Sequence, residues 1–173
     1  NGVQQDAMIA GLIYGDRESE SWTRTKAKVD FFDIKGHVEA LLALAGESNA
    51  FVFKAAEHPA LHPGQCAAIC RGDQQVGYVG RIHPSVQKQL DLDQPAFMFE
   101  MKVAPLLNAR IPQFSGFSRY PEVRRDIAVI IDRQVVADEI LACARRHAGE
   151  LLTELRIFDV YEGKGIENNR KSV

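Results

Sequence analysis

Phe97, Phe99, Met101 and Val103 alternate with Met98, Glu100 and Lys102. A period of two puts one set on each face of an extended strand, so this segment is predicted as a half-buried strand. Gln65 to Cys70 and Gln75 to Ile82 are also of strand length, and Arg71-Gly72-Asp73-Gln74 between them has hairpin-turn composition. Met8 to Tyr14, closed by Gly15-Asp16, reads as a short buried strand, and Ala50 to Glu57 as another.

Asp16 to Asp30 reads as a polar loop carrying the chain's one tryptophan, Trp22. Asp33 is then expected to cap a helix whose apolar positions Ile34, Val38, Leu41, Leu42 and Ala45 recur every three or four residues, with Gly46 as the stop. His58 to Gly64 is expected to be irregular because Pro59 and Pro63 lack amide donors and restrict the residues before them. His83-Pro84-Ser85 opens a short helix through Leu90.

The texture changes between Leu106 and Ser118, where Asn, Pro, Gln, Ser and Gly collect. The division expected is a first domain over 1–110, a linker over 111–118 and a second domain over 119–173. In the second, a strand (Asp126 to Ile131), a helix (Ala137 to Ala148, with Ile140, Leu141 and Ala144 on one face), a strand (Leu155 to Tyr161) and a loop (Glu162 to Asn169) lead to a third strand just begun at Val173. This β-α-β-β order opens a ferredoxin-like split unit that needs another helix and strand. With no initiator Met and no closing turn, the chain is expected to be an interior slice of a longer protein. The overall class is α+β.

With 46% hydrophobic and 25% charged residues, disorder, collagen and a pure coiled coil are excluded. A net charge of -2 excludes a globally basic nucleic-acid binder, though not a local basic face. No apolar run approaches the roughly 18 to 20 residues of a membrane span, so no membrane partner and a cytoplasmic site are expected.

Few residues suggest catalysis. Cys66 and Cys70 would stand about 13 Å apart in a strand at ~3.3 Å per residue, too far for one tetrahedral ion, and read as buried small side chains. His58 and His62 have the spacing of a zinc-binding helix, but the prolines forbid that helix. Gly77-Tyr78-Val79-Gly80 and Gly163-Lys164-Gly165 lack nucleotide-loop spacing and read as a strand bulge and a flexible turn. No nucleophile has a partner. No catalytic or metal-binding residue is expected. From Arg110 onward there are nine Arg and two Lys, against four Arg and six Lys before, and Arg forks suit phosphate and base edges. Surface ion pairing is the competing reading, since residues 117–173 hold ten basic and ten acidic side chains.

Several segments resemble the beta chains of bacterial phenylalanine–tRNA ligases: Asp30 to Glu39, His58 to Gly64, Val79 to Pro84, Phe117 to Asp126 and Ile157 to Gly163. The resemblance implies that the first domain is the later part of a non-catalytic class II synthetase-like core, an antiparallel sheet with flanking helices. The second would be a ferredoxin-fold anticodon-binding domain, truncated. It further implies an alpha2beta2 heterotetramer in which the alpha chain uses ATP and Mg2+, with tRNA as a second partner and no DNA. Candidate tRNA contacts are Arg119, Tyr120, Arg124 and Arg125 beside the first strand, and Lys164, Arg170 and Lys171 in or beside the long loop. The two ATP-clamping arginine patterns of class II enzymes do not occur, so this slice is expected to bind no ATP and to offer the alpha chain a contiguous apolar patch. The alternative is a stand-alone RNA-binding or regulatory synthetase paralogue.

Overall fold

The computed structural model describes residues 2–3, 5–46, 50–107 and 121–173, which fall into two compact units, Asn1–Ser115 and Gly116–Val173. The architecture is α+β. In the first unit, strands β1 (Met8–Tyr14), β2 (Phe51–Ala55), β3 (Leu61–Arg71), β4 (Gln74–Ile82) and β5 (Ala96–Lys102) form one sheet in the order β1-β5-β4-β3-β2, every neighbouring pair antiparallel. Helix α1 (Phe31–Leu44) covers one face, and the short helices α2 (Pro84–Gln89) and α3 (Ala104–Leu107) flank β5 in sequence.

The core follows from the two periodicities. Ile34, Val38 and Leu42 recur every four residues on α1, and all three are buried against β4 and β5. From the sheet come Ile69, Val79, Phe97, Phe99 and Met101, alternate positions on paired strands. Each fully buried side chain of this size stabilises by roughly 1.5 to 3 kcal/mol.

Helix α1 is capped three residues earlier than expected. Asp30 is the N-cap, accepting from the amides of Phe32 and Asp33, while Asp33 is the third helical residue and reaches back to the amide of Asp30. Two aspartates at this spacing each satisfy a donor the helix leaves unpaired, and Arg17 spans both, 2.9 Å from each carboxylate. Gly46 lies just past the helix end at φ 72°, the left-handed geometry expected of a stop.

The segment expected to be irregular is partly strand. β3 starts at Leu61 and runs through Pro63, because the pairing jumps from Leu61↔Ile82 to Cys66↔Gly80 and leaves His62 to Gln65 opposite Arg81 alone. Inside that bulge no ladder bond asks for the missing proline amide. The hairpin between β3 and β4 turns on Gly72-Asp73, with Gly72 at φ 58°.

In the second unit, β6 (Ile130–Asp132) pairs antiparallel with β7 (Arg170–Ser172), and α4 (Ala137–Ala148) spans the residues its periodicity predicts. Ile140, Leu141 and Ala144 are its partly covered positions. The first strand is shorter and later than Asp126 to Ile131. The expected strand Leu155 to Tyr161 is absent as a ladder: only Tyr161 bridges to Ser172. Its apolar residues have no strand on which to register, and Phe158 stands 70% exposed. None of the described residues of this unit is buried, and two paired strands with one helix make only a thin core.

Candidate nucleic-acid interface

Of the seven candidate contacts, Arg119 and Tyr120 lie outside the described residues. Arg124 and Arg125 are exposed in the extended segment that leads to β6. Arg124 stands 3.8 Å from Glu122 with its side chain 82% exposed, and Arg125 has no ion-pair partner among the described residues. Both side chains are thus exposed, with Arg124 in a long surface pair.

The other three behave differently. Lys164 is exposed in the turn between Tyr161 and β7, its carbonyl accepting the Tyr161 hydroxyl at 3.3 Å. Gly165, next in that turn, has φ 97°, matching its reading as a flexible turn. Arg170 begins β7 opposite Asp132 of β6 and pairs with Glu167 at 3.3 Å. Lys171 is half-buried, with Nζ donating to the Val135 carbonyl at 2.7 Å, a bond that ties β7 to the residue before the α4 cap. Its ammonium group holds the fold together.

Three arginines escaped the motif reading. Arg145 and Arg146 are exposed in the last turn of α4, and Arg156 is exposed in the segment after it. For the two on the helix the signal was periodicity: with Ile140, Leu141 and Ala144 facing inward, position 146 falls on the opposite face and position 145 at the border of the inward one. They also complement the negative end of the helix, which carries Asp138 and Glu139 in its first turn. Arg133 is engaged by Glu162 at 2.9 Å.

The first unit places its chemistry-bearing residues in structural roles. His58 Nδ1 accepts the Ala60 amide at 3.2 Å, His62 Nδ1 accepts that of Gly64 at 3.0 Å, and His83 Nδ1 accepts that of Ser85 at 3.2 Å. Each histidine precedes a proline, so the first amide available is two residues on, and the ring takes it as an Asn side chain does in an Asx turn. Cys66 and Cys70 are buried in β3, and burial pushes the Cys66 thiol up. Among the described residues no three His, Cys, Asp or Glu side chains stand close enough to hold a metal ion.

The sheet face away from α1 carries Met8, Ala10, Leu12 and Tyr14 along β1, all exposed. Beside them on β5 come Lys102, Glu100 and Met98, so the exposed apolar surface is a stripe on the edge strand bordered by charge.

Residues 1–103 match the family described as phenylalanyl tRNA synthetase beta chain CLM domain, and residues 118–173 match the ferredoxin-fold anticodon binding domain. The phenylalanine–tRNA ligase beta subunit of Pseudomonas syringae pv. tomato is 49% identical over 173 residues, 100% of this chain and 22% of the relative. Those of Idiomarina loihiensis and Aliivibrio fischeri are 44% and 42% identical over the same shares. The chain therefore spans about a fifth of the length of the curated relatives it matches. With two family domains in order and 49% identity to a relative over all 173 residues, the chain belongs to the phenylalanyl-tRNA synthetase beta-chain family.

Proposed function

We propose that this chain is the part of a phenylalanine–tRNA ligase beta chain that contributes an alpha-chain contact and an anticodon-side tRNA contact to ATP-dependent charging of tRNA with phenylalanine. The observation that carries the reading is the ordered pair of family matches, a beta-chain domain followed by an anticodon-binding domain. Residues 1–110 act as a non-catalytic class II synthetase-like core, 111–118 as a linker, and 119–173 as the RNA-facing module of a cytoplasmic heterotetramer. No described helix is long and apolar enough to cross a membrane.

The residues do not fit ATP and Mg2+. β5 runs into Ala104-Pro105-Leu106, not a glycine-rich segment bearing an arginine, and no acidic cluster is available among the described residues. Activation chemistry is therefore assigned to the alpha chain. This chain's own contribution is positional. Arg124 and Arg125, with Arg119 and Tyr120 before them, offer guanidinium and aromatic groups to phosphates and unstacked bases. Lys164 and Arg170 stand on the β7 side, and Lys171 keeps β7 in place.

Charge reversal of Arg124 and Arg125 in the full enzyme tests this. The KM for tRNA should rise on the order of tenfold at low salt and the salt dependence of binding should flatten, with the KM for phenylalanine unchanged. Unaltered tRNA kinetics would make the two arginines ordinary surface charges.

A further inference from the structure

We draw no further inference here: the strongest candidate, the exposed face of the β6–β7 ladder on which Ile130 and Tyr161 both lie beside Ser172, belongs to the anticodon-side contact already proposed.

Discussion

Asp30 and Asp33 each hold the other's backbone: the Asp30 amide donates to Asp33 Oδ2 at 2.7 Å, and the Asp33 amide donates to Asp30 Oδ1 at 3.1 Å. This reciprocal cap sets where α1 starts and hence where Ile34, Val38 and Leu42 meet the sheet. Asp30→Ala should cost about 1 kcal/mol in urea unfolding of the first unit, whereas Asp30→Asn, which keeps an acceptor, should lose only a part of that.

Gly36 and Gly77 are opposite cases. A Cβ on Gly36, in the middle of α1, meets nothing within 4 Å, so Gly36→Ala should stabilise by about 0.5 to 1 kcal/mol through helix propensity. A Cβ on Gly77 falls 2.3 Å from the Glu100 carbonyl oxygen and 2.5 Å from Met101 Cβ. The obstacle includes backbone of the neighbouring strand, so Gly77→Ala should destabilise by about 3 kcal/mol through forced separation of β4 and β5. Equal melting temperatures for the two variants would refute the contrast.

His83 caps α2 through its ring, accepting the Ser85 amide, with Ser85 Oγ 2.6 Å from the same nitrogen. His83→Ala should cost about 1 kcal/mol, and His83→Asp or His83→Asn should restore most of it because either offers an oxygen to the same amide. Loss in all three variants would assign the histidine some other role.

The carboxyl of Asp16 is held below its usual range, first by the hydrogen bond from Lys28 and then by the charges of Lys26 and Lys28. A carboxyl with a lowered folded pKa adds stability that is present above its unfolded value and is lost as pH falls through the folded one. The loop should therefore loosen on acidification below about pH 4. Trp22, the chain's one tryptophan, reports this directly: its fluorescence anisotropy should drop in that window, and Asp16→Asn should show the lower value at neutral pH already.

Met101 is fully buried between the sheet and α1. Met101→Ala should destabilise the first unit by roughly 2 to 5 kcal/mol, the spread set by how far the neighbours collapse. Far-UV circular dichroism during urea unfolding reads it out.

The strands and helices of the first unit were legible because their periods are local. Met8–Tyr14, the hairpin about Gly72-Asp73, the helix after His83 and the alternation through Met101 are written in runs of five to ten residues. The aspartate cap was misplaced because both Asp30 and Asp33 suit the position, and only the direction of each side chain tells cap from third residue. Pro63 misled for a related reason. A proline excludes a ladder bond, but whether the ladder asks for one there depends on the register of β4. His58 and His62 have the spacing of a ligand pair that their prolines forbid, and only the fold shows that each ring takes the second amide after itself.

For the candidate interface, composition marked the region and tertiary contacts sorted its members. That Arg replaces Lys after residue 110 is a property of the chain alone. That Lys171 is committed to the Val135 carbonyl while Arg125 has no ion-pair partner among the described residues is not, since residues 36 apart in sequence meet only when β7 lies beside β6. Periodicity and capping chemistry are short-ranged and survive in any context. Which charge is spent on the fold, and which remains for a partner, is decided by distances that exist only once the strands have paired.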